Sequence, residues 1–294
     1  METTELLKKV RKIELKSRGL TKNIFAGEYH SAFKGRGMAF SEVREYQYGD
    51  DIRNIDWNVT ARFNHPYIKT YEEERELTVM LLIDVSGSKF FGTNKQLKQE
   101  LITEVAAVLS YSAIVNNDKI GVIFFSDKVE KFILPKKGRQ HILRIIRELL
   151  EFRPSSNKTD VSQGLRYLTN AIKKKSTAFL ISDFMDYSDE KRKMNFEDAL
   201  KIANKKHDIV ALRVYDRRET ELPPLGLIKF KDGETNEEKW IDTSDKEIRS
   251  SYALWWKEFN KCITDLLSKS GVDSVDLSTG EDYVKPLIRL FKKR

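Results

Sequence analysis

Two aspartates each stand at the end of a run of apolar residues. Leu77-Thr-Val-Met-Leu-Leu-Ile83 runs into Asp84-Val85-Ser86-Gly87-Ser88, and Thr177-Ala-Phe-Leu-Ile-Ser182 runs into Asp183. Between them, Asn157-Lys158-Thr159-Asp160 leads into a helical pattern containing Gly164 and Leu165. Asp84, Ser86, Ser88, Thr159 and Asp183 together offer two carboxylates and three hydroxyls, all hard oxygen donors. No histidine or cysteine is near them in sequence. Such a set suits Mg²⁺, Mn²⁺ or Ca²⁺ and does not suit Zn²⁺. Mg²⁺ takes near-octahedral oxygen at about 2.0–2.1 Å and gives up water reluctantly. Neutral hydroxyls as direct ligands leave such an ion under-neutralised, so it takes a further carboxylate from outside the chain.

For these residues to meet, the elements that carry them must bring three loops to one edge. The run from Leu77 to Ile83 has the continuous apolar character of a strand buried on both faces. Strands are also expected at 119–125, 128–134, 177–182, 208–215 and 272–277. Helices are expected at about 96–116, 140–152, 161–174, 195–206, 246–268 and 283–291. This alternation predicts an α/β fold with a doubly wound, mostly parallel sheet, Rossmann-like in layering. In such sheets ligands gather beyond the carboxyl ends of the strands, where the strand order reverses. Residues 217 to 243 interrupt the alternation with Pro223-Pro224 and Asp232-Gly233, and predict a β-hairpin insertion. Residues 1–76 differ. An amphipathic helix is expected over about 5–22, followed by an irregular or short-stranded elaboration rich in Gly, Tyr and charge. The main domain is therefore expected at 77–294.

Composition narrows the class. A prior of about 150 residues per domain allows one large or two modest domains in 294 residues. The chain is 40% hydrophobic and 33% charged, enough for a buried core with a well-solvated surface. The longest apolar run is too short to span a bilayer, and the first residues lack a basic region followed by an apolar one. With Cys262 the sole cysteine, no internal disulfide can form, and a cytoplasmic location is expected. Cys262 reads as a core thiol beside Ile263 and Leu266. The net charge of +8 is uneven: residues 128–147 hold seven basic residues against one acid, Glu130. No aromatic platform is interleaved with these charges, so a solvated face is favoured over a nucleic-acid surface. The histidines, His30, His65, His141 and His207, lack metal-ligand spacing, and no phosphate-binding glycine loop is present.

The pattern Asp84-x-Ser86-x-Ser88, then Thr159, then Asp183 resembles the metal-ion-dependent adhesion site (MIDAS) of von Willebrand factor A domains, over roughly residues 77 to 290. The resemblance implies that Ser86, Ser88 and Thr159 contact the metal directly or nearly so, while Asp84 and Asp183 hold it through water. Two residues depart from the pattern. Lys158 stands where a small residue is usual, and Lys89 follows Ser88. A positive charge about 6 Å from the ion, at an effective dielectric near 20, would oppose binding by roughly 3 kcal/mol for each unit of the ion's charge. A second stretch is longer and more unusual: Tyr48-Gly49-Asp50-Asp51-x-Arg53-x-Ile55-Asp56-Trp57-x-x-x-Ala61-Arg62, followed by Glu72-Glu73-Glu74 and the strand. It resembles the bacterial family called domain of unknown function 58. That resemblance implies a partner among MoxR-type AAA+ ATPases or their clients, donating a carboxylate to the metal, and a role in protein or complex maturation.

Other readings of the same residues compete. Asp50, Asp51, Arg53, Asp56 and Arg62 are expected to form an internal ion-pair network that holds their segment against the main domain. A Mg²⁺-dependent phosphohydrolase of the haloacid-dehalogenase type also places an aspartate after its first strand. It needs a second aspartate two residues on as general acid, and Ser86 occupies that position. No catalytic constellation is found, so a binding module is expected rather than an enzyme. A basic scaffold for nucleic acid through residues 128–147 is the remaining alternative.

Overall fold

The computed structural model describes residues 3–21, 38–73, 77–90, 92–93, 96–188, 193–231 and 238–294. His30, Glu74, Glu76 and the Asp232-Gly233 turn lie outside them. The chain divides into a larger unit of residues 1–32 and 78–294 and a smaller one, Phe33–Leu77. In chain order the principal elements are α1 (Thr3–Leu20), β1 (Met38–Glu45), α2 (Trp57–Phe63), β2 (Tyr67–Glu73), β3 (Thr78–Asp84), α3 (Lys98–Val115), β4 (Lys119–Phe125), β5 (Val129–Lys136), α4 (Arg139–Glu151) and α5 (Val161–Ala171). They continue with β6 (Thr177–Ser182), α6 (Glu197–Lys206), β7 (Asp208–Tyr215), β8 (Leu227–Lys231), β9 (Glu238–Asp242), α7 (Lys246–Lys269), β10 (Asp273–Ser278) and α8 (Val284–Lys293).

Six of the strands make one sheet in the order β10-β7-β6-β3-β4-β5. All neighbours are parallel except β4 and β5, which the three-residue connection 126–128 turns back antiparallel. The expected doubly wound α/β architecture is thus present. β3, β4, β6 and β7 are buried along nearly their whole length, which is why they read as unbroken apolar runs. Period-two alternation sorts their side chains between two layers. Met80, Leu82, Ala178 and Leu180 pack with Val161, Leu165, Leu200, Phe259 and Ile263 of α5, α6 and α7. On the opposite face, Phe179 meets Phe291 of α8, and Phe124 stacks on Phe152 just after α4.

α3 is buried on almost every side, from Leu101 to Ala113. A helix apolar all round needs cover on both faces, and α1 supplies the outer one. Glu14 of α1, itself buried, accepts from Arg139 Nε at 2.6 Å, and Lys16 pairs with Glu104 of α3 at 2.6 Å. The first helix therefore belongs with the larger unit, whereas the expected division at residue 76 groups it with the elaboration. The hydroxyls of Thr103, Ser110 and Ser112 inside α3 are satisfied by carbonyls one turn back. Among the described residues no helix is long and apolar enough to cross a membrane. β8 and β9 form the expected hairpin in the 217–243 insertion.

The smaller unit is a hairpin of β1 and β2 with a bulge between Phe40 and Glu42. Its connection holds the charged segment, and the carboxylates there shape the chain locally. Asp50 takes both guanidinium nitrogens of Arg44, at 2.7 and 2.9 Å, and the Gln47 N–H at 2.7 Å. Asp51 caps the short turn Ile52–Asn54, and Asp56 caps α2 and pairs with Lys69 at 3.4 Å. The partners are Arg44 and Lys69, outside the expected set, because the paired strands β1 and β2 bring these bases to the carboxylates of the connection between them. Tyr48, Ile52, Trp57 and Phe63 are left exposed.

One contact in the larger unit bears directly on how the second loop is placed. A Cβ on Gly164 of α5 would sit 2.8 Å from Cδ1 of the buried Phe125 ring at the end of β4. Gly164→Ala is therefore expected to lower stability by about 1–3 kcal/mol, seen as a lower urea midpoint with unchanged m.

Candidate functional site

The strand order reverses between β3 and β6: the chain leaves β3 for β4 on one side and returns to β6 on the other. Residues Ile83 and Ile181 are paired across these two parallel strands, so Asp84 and Ser182 emerge together at the carboxyl edge. The Ser182 hydroxyl donates to Asp84 Oδ2 at 2.6 Å, and the Ser86 N–H donates to Asp84 Oδ1 at 2.9 Å. Both carboxylate oxygens are thereby engaged, and Asp84 is 4% exposed. In the first loop the Ser86 and Ser88 hydroxyl oxygens lie 3.3 Å apart.

The second loop is tied to the first by the backbone. The Gly87 N–H donates to the Asn157 carbonyl at 3.0 Å, and Asp160 N–H donates to Ser126 O at 3.0 Å. Glu130 of β5 supports this loop from below. It accepts from the Ser155 N–H at 3.1 Å and from the Ser126 hydroxyl at 2.8 Å. Asp160 caps α5 through the Ser162 N–H. Thr159 Oγ1 is buried and has no hydrogen-bond partner among the described residues.

The third loop begins at Asp183. Its Oδ1 accepts from Met185 N–H at 3.2 Å, and the Ser88 hydroxyl reaches the same carboxylate. Phe184 takes a left-handed conformation, φ 60°, and buries its ring beside Phe196. Asp186 then accepts from Val161 N–H of α5 at 3.0 Å and from Asn195 Nδ2 at 2.8 Å. Asp84, Ser86, Ser88 and Asp183 are thus linked directly, and the Gly87–Asn157 bond ties the loop that carries Thr159 to the first loop.

A cation at this cluster comes from an unexpected residue. Lys98, the first residue of α3, is 2% exposed. Its Nζ donates to Asp183 Oδ2 at 3.1 Å and pairs with Glu219 Oε1 at 2.5 Å. Lys158, whose charge was expected to matter, is exposed, and the side chain of Lys89 lies outside the described residues. The sequence does carry a sign of Lys98: it falls three, four and seven residues before Leu101, Ile102 and Val105, on a buried stripe. Glu219, Ser182 and Asp186 carry no such sign.

Electrostatics separate the two aspartates. Burial and the nearby negative charge of Asp183 push Asp84 from 3.8 up to about 6, against the bonds from Ser182 and Ser86. Burial also acts to raise Asp183, but the Lys98 ammonium and the bonds from Ser88 and Met185 outweigh it, leaving Asp183 below the ordinary carboxylate range. Burial holds Glu219 above its ordinary value despite Lys98. With all groups ionised, Asp84, Asp183 and Glu219 against Lys98 leave two negative charges in a buried place. That imbalance, the free Thr159 hydroxyl and the all-oxygen donor set fit a hard divalent cation held by Asp84, Ser86, Ser88, Thr159 and Asp183. Among the described residues no three His, Cys, Asp or Glu side chains gather as a metal cage.

The chain matches the model of a family described as protein of unknown function DUF58, over residues 42–259. The Mycobacterium tuberculosis protein Rv1480, described as uncharacterized, is 25% identical over 296 residues, spanning 100% of this chain and 91% of that protein. The Bacillus subtilis protein YeaD is 30% identical over 110 residues, 37% of this chain and 25% of that protein. Among solved structures, the chain is similar to an aerotolerance-related membrane protein from Bacteroides fragilis, with 13% identity and a TM-score of 0.49 over 74% of this chain and 100% of that one. It is also similar to the conserved hypothetical protein BatB from Bacteroides thetaiotaomicron, with 14% identity and a TM-score of 0.43 over 74% and 98%.

The raised value for Asp84 has a defined consequence for stability. Between 3.8 and about 6 the folded protein binds the Asp84 proton more tightly than the unfolded chain does. In chelator, this contribution is therefore greatest below the lower value and is lost as the pH rises through the upper one. A shift of that size corresponds to about 3 kcal/mol. Asp84→Asn is expected to flatten this decline in urea unfolding measured across the window with EDTA present. An unchanged slope would show that another group is responsible.

Proposed function

The chain belongs to the family described as protein of unknown function DUF58, and from that footing we propose that it is a metal-dependent protein-interaction module. In this reading it serves as an adaptor or accessory factor of a MoxR-type AAA+ ATPase in the maturation of a protein or complex. The observation that carries the metal-dependent part is the meeting of Asp84, Ser86, Ser88 and Asp183 where the strand order reverses, together with a buried Thr159 hydroxyl that has no partner among the described residues, on the loop tied to them at Gly87. The ion, Mg²⁺ or alternatively Mn²⁺ or Ca²⁺, supplies a Lewis-acidic point for a partner's carboxylate. The residues of this chain would fix its place, with the hydroxyls leaving room in its coordination for a donor from outside. Asp84 is held by Ser182 and Ser86 N–H, and Asp183 by Ser88, Met185 N–H and Lys98.

The smaller unit supports the ATPase part of the proposal. In the segment that resembles the family, the Asp50, Asp51 and Asp56 carboxylates are used for local folding, which frees Tyr48, Ile52, Trp57 and Phe63 to face outward. Exposed aromatic side chains of this kind are common anchors at protein interfaces.

Two measurements test the two parts separately. Capture of partners by the purified full chain should require Mg²⁺, fail in EDTA, and fall at least about tenfold in affinity for Asp84→Ala, as expected from losing a charged partner worth over ~1.4 kcal/mol. Capture that ignores both chelator and Asp84→Ala would rule out the metal. Thr159→Val is the sharper variant. It removes a buried hydroxyl that has no partner among the described residues, so thermal stability in EDTA should stay at or above that of the wild type, while Mg²⁺ affinity falls. With a purified MoxR-type ATPase from the same cell, Tyr48→Ala plus Trp57→Ala should abolish binding. Wild-type binding by that double variant would remove the ATPase from the proposal.

A further inference from the structure

Lys98 stands at a place where a positive charge is doubly disfavoured. It opens α3, where the helix end already carries partial positive charge, and its side chain is 2% exposed. An ammonium removed from water in this way is tolerated only when carboxylates are held against it. Two are: Asp183 Oδ2 at 3.1 Å and Glu219 Oε1 at 2.5 Å. Packing does not demand the charge, since Leu101, Ile102 and Val105 already bury the stripe on which Lys98 lies.

Glu219 is itself fixed in place. Its Oε2 accepts from the Asp216 N–H at 2.9 Å, closing a capping box on the single turn Arg217–Thr220. Its backbone carbonyl accepts from the Tyr252 hydroxyl of α7 at 2.6 Å. Lys98 therefore lies in a rigid bracket between the third loop and the segment after β7.

We infer that Lys98 is the resident counter-cation of the site: it holds Asp183 and the three loops in place when no divalent ion is bound, and it shares Asp183 with any ion that binds there. This inference rests on the metal-binding reading proposed above. Three consequences follow from the geometry. The loops stay assembled without metal, because Asp183 already has a positive partner. The ion is held more weakly than its donor set alone would hold it, because the ammonium occupies one oxygen of Asp183 and repels a second cation. Glu219 relieves part of that competition by drawing Lys98 toward itself.

The test compares wild type, Lys98→Met, Glu219→Gln and Asp84→Ala by thermal unfolding in EDTA and in MgCl₂, and by Mg²⁺ titration calorimetry. Wild type should stay folded in EDTA and unfold at a modestly higher temperature in MgCl₂, as an ion bound only by the folded chain requires. Lys98→Met should be destabilised in EDTA, recover more than wild type in MgCl₂, and bind Mg²⁺ at least about tenfold tighter, the direction that removal of one nearby like charge requires. Glu219→Gln should bind Mg²⁺ more weakly than wild type. A Lys98→Met protein that loses stability equally in both buffers and binds Mg²⁺ no better than wild type would make Lys98 a purely structural ion pair and overturn the inference. If Lys98→Met does not fold, Glu219→Gln decides, and unchanged or tighter binding by it overturns the inference. If wild type itself takes up no Mg²⁺ and matches Asp84→Ala, the metal-binding reading falls and this inference with it, an outcome separate from a wild type that binds while Lys98→Met binds no better.

Discussion

Two carboxylates are buried side by side at the crevice between β3 and β6, and much of the larger unit is arranged to make that tolerable. Ionised carboxylates out of water are costly unless each is hydrogen-bonded and paired. Asp84 is answered by a hydroxyl and a backbone N–H, without a full positive charge, and its proton is held up to about pH 6. Asp183 is answered by an ammonium brought in from the start of α3. The asymmetry is informative. A site built only for stability would pair both or neither.

The surrounding architecture follows from the same requirement. A lysine can reach Asp183 from inside only if the helix that carries it is buried, and α3 is buried because α1 covers its outer face. Glu130 and Ser126 stiffen the second loop from the antiparallel edge strand, which lies far from the crevice in sequence yet close to that loop in space. Gly164 lets α5 settle onto the Phe125 ring, so the end of β4 and the start of α5 share one position. Each of these contacts is ordinary packing, and together they fix where oxygens point.

Much of this was legible in the amino-acid order. The apolar runs ending at Ile83 and Ser182 marked strands buried on both faces, and the alternation of strand and helix placed three oxygen-bearing loops at one edge. Asp84, Ser86, Ser88 and Asp183 are found in contact there. What could not be read is where charges separated widely in sequence would meet. Lys98 finds Asp183 across 85 residues, and a stripe of Leu101, Ile102 and Val105 reads as core whether its first member is apolar or not. The aspartates of the Tyr48–Arg62 segment misled for the opposite reason. Their partners are backbone N–H groups and Arg44 or Lys69, and a cap two residues away leaves no imprint on the pattern of charge. α1 was grouped with its neighbours in sequence because amphipathicity says that a helix must be covered, never by what.

Asp186 gives the crevice an uneven mechanical character. By accepting from Val161 N–H and Asn195 Nδ2, it welds the start of α5 to the loop that begins at Asp183, so the Thr159 and Asp183 sides move as one piece. The Ser86–Ser88 side, joined to that piece among the described residues by the backbone bond from Gly87, the Ser182–Asp84 bond and hydroxyl contacts, is the more compliant wall. In the proposed metal-bound state, adjustment to ionic radius would fall to the two serines and depend on how far that short turn can give.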